Sequence, residues 1–310
     1  MIMRVKNNKR SLGDRERFLE MYSPAAKRFG KLTARRSGSS SRKNAYDLLF
    51  VGLRRLNFQF SCNCRTFFGD SMRVLLPEYG SCTVWETGIV DLQTPMYLAA
   101  ALPKGGVCFD GGANFGFYSL LALALVGQSG SVHSFEPAAV AFAFLEKNLR
   151  CFENARLVQA AVSDSDGSCR FTDLSVIAGG FNRVDSAGVE ASKGQSIQVR
   201  CLRLDTYCDQ AGIAPDVIKL DVEGHELAAL RGLERTIAEA QPCIIVEYGM
   251  AEGDNLGASR FLLDRGYRSL VAGSCKLNAC SLDHIAASAP GENYLFVPPD
   301  RLKAMASWIA

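Results

Sequence analysis

Histidine is scarce in this chain, with three residues in 310, and tryptophan is scarcer, with two. A metal centre built on several imidazoles therefore has little to draw on. No run of about 18 uninterrupted apolar residues occurs, which excludes a membrane-spanning helix, and the first residues lack the apolar stretch of a signal peptide. Paired Cys-x-x-Cys motifs are missing as well. The 11 cysteines are odd in number and scattered, and neither Cys62 with Cys64 nor Cys275 with Cys280 has zinc-ribbon spacing, so free thiols in a reducing cytoplasm are expected.

What is present is globular: 48% hydrophobic and 22% charged residues, in a chain long enough for a sizeable core. The net charge of +3 hides an uneven layout. Residues 1–55 hold 15 Lys/Arg against 4 Asp/Glu, and the remainder 20 against 28. The basic start reads as a solvated arm over residues 1–44 with little fixed structure, able to touch anionic surfaces but carrying no specific nucleic-acid motif. Residues 45–102 read as a small N-terminal cap, with a helix from Ala45 to Leu56 and short strands at Phe58–Phe60 and Met72–Leu76. A helix from about Leu92 to Ala101 follows, and Trp85-Glu86 is a candidate lid. Residues 103–300 form the main domain.

The stretch Val107-Cys-Phe-Asp-Gly-Gly-Ala-Asn-Phe-Gly116 organises that domain. Val107–Phe109 read as a buried parallel strand, Gly111 and Gly112 as a turn of unusual backbone angles, and Phe115–Leu125 as a helix whose amide end faces the turn. A ligand can approach bare backbone there. A dinucleotide fingerprint requires glycine where Ala113 stands, which argues against an NAD(P)-dependent oxidoreductase.

Further strands bring acids to the same crevice. Ser131–Glu136 delivers Glu136, which can accept hydrogen bonds from both ribose hydroxyls or cap the helix Ala138–Leu149. Leu157–Val162 is a third strand, after which Asp164 either accepts from an adenine amino group or serves a turn. Cys169–Phe171 and Ile197–Cys201 read as an antiparallel hairpin whose glycine-bearing tip, Ala178 to Gly194, can cover a substrate. Asp205 is the expected cap of the next helix. In Asp216-Val-Ile-Lys-Leu-Asp-Val-Glu-Gly-His-Glu226, Lys219 interrupts a buried strand and needs an anion; Asp221 lies on the same face, with Glu223 and His225 at the carboxyl end. Cys243–Glu247 and Asn293–Val297 complete an open α/β sheet, while His133 and His284 read as structural.

In this order, Asp110 to Gly116, Phe135-Glu136-Pro137, Ala161 to Asp164, Leu204-Asp205, Lys219 to Glu226 and Pro242 to Glu247 resemble FkbM-family methyltransferases over roughly residues 85–297. The resemblance implies a Rossmann-like class I methyltransferase fold, a mostly parallel seven-stranded sheet with helices on both faces. It also implies S-adenosylmethionine as cofactor and O-methylation of a hydroxyl on a sugar, glycan or natural-product scaffold. The cofactor site is then Asp110, Gly111, Gly112, Ala113, Asn114, Gly116, Glu136 and Asp164. Two features depart from the family pattern: the run is Asp-Gly-Gly where Val or Ile is frequent ahead of Gly-Ala-Asn, and His225 stands where Ala is common. Asp221 is the candidate base or acceptor-orienting group, assisted by Glu223 or His225, with Lys219 as counter-charge. The same acids are hard oxygen donors for a divalent metal, but they make no full ligand set. A module that binds the cofactor or a glycan without turnover is the alternative.

Overall fold

A computed structural model describes residues 12, 14–36, 45–173, 183–184, 195–248, 256–289 and 291–310. The chain begins with α1 (Arg15–Arg36) and α2 (Ala45–Arg55), an antiparallel hairpin of β1 (Phe60–Arg65) and β2 (Ser71–Leu76), then α3 (Tyr79–Thr87) and α4 (Thr94–Ala101). Alternation follows: β3 (Val107–Gly111), α5 (Phe117–Val126), β4 (Ser131–Phe135), α6 (Ala139–Leu149), β5 (Ala155–Val158). A second group comprises β6 (Ala161–Val162), β7 (Gly167–Asp173), β8 (Arg183–Val184) and β9 (Gln195–Leu202). The chain then returns through α7 (Leu204–Ala211), β10 (Val217–Leu220), α8 (Glu226–Arg231), α9 (Glu234–Ala240) and β11 (Cys243–Tyr248). It closes with α10 (Gly257–Leu263), β12 (Arg268–Ala272), β13 (Leu277–Ala279), α11 (Leu282–Ala286), β14 (Glu292–Val297) and a 3₁₀ turn at Pro299–Met305.

The main sheet has eight strands in the order β13-β12-β14-β11-β10-β3-β4-β5. Five of them, β5 to β11 in that order, pair in parallel; β14, β12 and β13 join by antiparallel pairing. The seven-stranded, mostly parallel expectation is thus corrected to a mixed eight-stranded sheet. The extra strand is β13, which folds back on β12 through Gly273, whose N–H donates to the Lys276 carbonyl. The strand expected over Leu157–Val162 is also divided. Its first part is β5, and Ala161–Val162 turns away to pair with β9 in a separate four-stranded sheet.

Two-residue alternation explains why the central strands read as unbroken apolar runs. Cys108, Val217 and Ile245 pack into one core with Leu98, Leu120 and Leu145 of α4, α5 and α6; Phe109, Ile218 and Ile244 pack into another with Leu204, Leu230 and Leu262 of α7, α8 and α10. Both faces are covered, as a parallel sheet requires. β7 and β9 form the expected antiparallel pair, and its tip from Ala178 to Gly194 lies outside the described residues apart from β8.

The reading of residues 1–44 as a structureless arm fails for Arg15–Arg36. Phe18, Tyr22, Ala25 and Leu32 share one face of α1 and are buried, with Phe18 ringed by Tyr22, Phe67 and Trp308. Four apolar residues at helical spacing suffice for docking, however charged the rest. Asp205 does not cap its own helix either. It reaches across to accept from the Arg235 and Thr236 N–H groups at 3.1 and 2.9 Å, satisfying the first turn of α9. All 11 cysteines are free thiols, and no helix among the described residues is long and apolar enough to cross a membrane.

Candidate active site

A cavity of about 320 Å³ opens at the carboxyl ends of β3, β4, β10 and β11. One wall is made by backbone. After β3 the chain turns through Gly112 at φ +73°, where a Cβ would sit 1.8 Å from the Asp221 carbonyl oxygen, so only glycine fits. Gly112 and Ala113 donate N–H groups to the Phe135 carbonyl at 3.0 Å, which ties the loop to the end of β4. At Gly116, φ +90°, a Cβ would fall 2.7 Å from Leu145 and Leu149, so its absence lets α5 lie against α6.

Asn114, itself left-handed at φ +47°, donates its N–H to Glu136 Oε2 at 2.9 Å, and Ala138 donates to Glu136 Oε1 at 2.8 Å. Glu136 thus satisfies the N–H that leads into α6 and also lines the cavity. Burial pushes its pKa up to about 7 against the two N–H donors. Each oxygen keeps a lone pair for a ligand hydroxyl.

The adjoining wall is made by charge. Lys219, 1% exposed, stands beside Asp110 in the β10–β3 register and places Nζ 3.4 Å from Asp110 and 3.1 Å from Asp221. Burial alone would lower the lysine pKa, but the two carboxylates outweigh it and raise it. Burial would likewise raise Asp221, and Lys219 instead holds it below the usual carboxylate range. Asp110 also accepts from Ser119 Oγ at 2.6 Å. Tyr118 lays its ring 4.9 Å from Lys219 Nζ and donates its hydroxyl to Asp91.

Glu247, two residues beyond Ile245 on β11, brings a second carboxyl to Asp221. Burial first, and the Asp221 charge second, push its pKa far up, so it carries a proton toward Asp221. Asp221, Glu223 and Glu247 each offer a carboxylate oxygen within 4.8 Å of the others. Lys219 already supplies the cation beside Asp221. The turn that presents them is held from within: Glu223 and Gly224 both have positive φ, at +51° and +90°, and Glu226 Oε1 accepts from the Val222 and Gly224 N–H groups at 3.2 and 3.1 Å.

A family model described as the methyltransferase FkbM domain matches residues 110–269, which is just over half of the chain. The chain belongs to the FkbM methyltransferase domain family. It is 33% identical over 160 residues to the 31-O-demethyl-FK506 methyltransferase FkbM of Streptomyces tacrolimicus, covering 43% of this chain and 61% of that protein. With the hexuronic acid methyltransferase AglP of Haloferax volcanii it shares 26% over 141 residues, 45% of this chain and 54% of the other. The chain therefore spans less than two thirds of either relative. Among solved structures, the methyltransferase FkbM from Methylobacillus flagellatus is similar with a TM-score of 0.42 and 18% identity, over 62% of this chain and 43% of that one.

In this FkbM-family chain Gly112, Ala113, Asn114, Glu136, Asp221 and Glu223 line the cavity; Asp110, Gly111, Gly116 and Lys219 stand behind it. Asp164 and His225 are not brought to it. Asp164 is exposed, and His225 Nε2 lies 2.9 Å from Ser163 Oγ, its pKa lowered by burial against the pull of Asp164. The lid expected at Trp85-Glu86 is also displaced: Trp85 packs edge-on to Phe50 and Glu86 pairs with Arg36 at 3.1 Å. The neighbouring segment Glu78–Ser81 lines the cavity, with Glu78 buried and accepting from Gly80 and Ser81 N–H groups at the start of α3. Sequence reasoning missed Glu247, Glu78 and Tyr118. Only Glu247 carried a signal, as an acid ending a buried strand beside two others.

Proposed function

We propose that this chain is an S-adenosylmethionine-dependent O-methyltransferase whose acceptor is a hydroxyl of a sugar, glycan or natural-product scaffold. The observation that carries the reading is the meeting, in one cavity at parallel strand ends, of a bare-backbone turn, a buried carboxylate at the next strand end and an ionised aspartate backed by lysine. The family supports it, as do two relatives named for 31-O-demethyl-FK506 and for hexuronic acid. Five parallel strands with helices on both faces are in keeping with a Rossmann-like methyltransferase core to which β13 is an addition. The free thiols suit a cytoplasmic setting.

The residues fit the cofactor. Gly112 admits close approach of a ligand and Glu136 offers acceptors to ribose hydroxyls. When bound, S-adenosylmethionine supplies an electrophilic methyl group on a sulfonium centre. Asp221 accepts the hydrogen bond of the acceptor hydroxyl, aims its oxygen and takes up the proton at a carboxylate oxygen. Lys219 keeps Asp221 ionised, and Glu247, by holding its own proton, leaves the pair with one negative charge instead of two.

The test measures turnover and cofactor affinity separately for Asp221→Asn with a panel of hydroxylated acceptors. Turnover should fall at least about 100-fold with cofactor affinity little changed. Near-normal turnover in the variant removes Asp221 from the chemistry. Cofactor binding by the wild type without product from any acceptor favours a binding module.

A further inference from the structure

α2 has its apolar face on the outside. Phe50 points inward and is 3% exposed, whereas Leu48, Leu49, Val51 and Leu56 are 59, 51, 43 and 79% exposed. At 100° per residue Val51, Arg55, Leu48, Leu56 and Leu49 fall within an arc of about 160°. Phe58 and Phe60, 57 and 40% exposed with rings 6.4 Å apart, continue the patch toward β1. Of nine exposed large hydrophobic residues in the described chain, eight lie between Leu48 and Trp85, so this is one concentrated surface and not the usual scatter.

We propose that this surface docks on an anionic membrane, with the leucines and phenylalanines entering the acyl boundary and the surrounding arginines meeting headgroups. Charge decides among the occupants. Residues 48–77 carry Arg54, Arg55, Arg65 and Arg73 against Asp70 alone, and residues 1–55 carry 15 cations against 4 anions, while the rest of the chain is acidic. Nucleic acid would use the cations but leave the leucines in water. A second copy would bring two like-charged faces together. An anionic bilayer satisfies both features, and peripheral binding requires no spanning helix.

The position has a consequence for the acceptor, which rests on the methyltransferase reading. Tyr79 is 53% exposed, lines the cavity and carries Arg36 and Arg54 over its ring at 5.2 and 5.4 Å. Docking through α2 therefore sets the cavity mouth at the bilayer, within reach of an amphipathic or lipid-linked hydroxyl.

The experiment is co-sedimentation of the full chain with phosphatidylcholine vesicles, with and without phosphatidylglycerol, comparing wild type with the double variant L49S/F58S. Both substituted positions are exposed, and unchanged cofactor affinity in the variant serves as the folding control. Binding should require phosphatidylglycerol, weaken with added salt, and fall at least about tenfold in the variant. Absence of binding to anionic vesicles, or equal binding by the variant, overturns the proposal. Self-association of wild type lost in the variant also overturns it and assigns the face to a second copy. No cofactor or acceptor is present during sedimentation, so this failure is distinct from failure of the methyltransferase reading, which cofactor titration of the same sample tests.

Discussion

The two walls of the cavity are built on different physics. On the β3–β4 side the shape of the backbone excludes side chains: Gly112 passes so close to the Asp221 carbonyl that a methyl group has no room. Beside it, four ionisable groups on or just beyond β3, β10 and β11 are held by compensation, with Lys219 between Asp110 and Asp221 and a proton on Glu247. A wall fixed by shape tolerates no substitution. One fixed by charge tolerates paired substitutions, since removing both partners of a buried ion pair costs far less than stranding one.

Gly112→Ala is the most direct way to break this contrast. The left-handed φ and the 1.8 Å approach act together, so the turn must move away from β10, with a cost above about 4 kcal/mol. Urea unfolding should show a collapse of stability or no folded protein. A loss under about 1 kcal/mol would mean that the two strand ends are not packed as described. Lys219→Met comes next, at about 3–5 kcal/mol, because two carboxylates lose their buried counter-charge. Adding Asp110→Asn and Asp221→Asn should recover much of the loss. If the triple variant is no more stable than Lys219→Met alone, compensation is not what holds that wall.

The same division decides what could be read from the sequence. Asp-Gly-Gly-Ala-Asn announces a turn because glycine has few other uses after a buried strand, and Lys219 was conspicuous because nothing else in its strand is polar. Partners separated in the chain were harder to see. Asp205 sits where a cap for its own helix belongs, yet its acceptors serve α9, about 30 residues on, and only the packing of α7 beside α9 makes that possible. His225 follows the acids in sequence, but the left-handed turn at Glu223 and Gly224 rotates it toward Ser163. α1 is hidden by composition, since the many charged residues of the segment lower its mean hydropathy without weakening the one face that docks.

Glu136 sharpens the comparison because it is an ionisable group on the shape-built wall. Glu136→Ala removes the acceptor for Asn114 and Ala138 N–H groups as well as the one proposed for a ribose hydroxyl. Cofactor affinity should fall by roughly 1.5–3 kcal/mol, measured by calorimetry. Glu136→Gln keeps one carbonyl acceptor and should fall less. An unchanged dissociation constant in a folded Glu136→Ala protein would remove Glu136 from the cofactor site.

Glu226 allows the smallest and most selective test, since it holds the turn on the charge-built wall through one oxygen. Burial, opposed by its own and neighbouring N–H groups, raises its pKa from an ordinary 4.5 to about 7. Between those values the folded protein binds more protons than the unfolded chain, so the contribution of Glu226 to stability is complete below pH 4.5 and is lost as pH rises to 7. Gln stays neutral throughout and still presents a carbonyl oxygen to the Val222 and Gly224 N–H groups. The stability of Glu226→Gln relative to wild type should therefore rise by roughly 2–2.5 kcal/mol between pH 5 and 7.5 and then level off. His133, whose pKa burial lowers to about 4, changes stability in the opposite sense over part of that range, but it is common to both proteins and cancels in the difference. Urea unfolding of the pair at the two pH values provides the measurement. A difference that does not change with pH would mean that Glu226 stays ionised in the fold and holds the turn by charge-assisted hydrogen bonds.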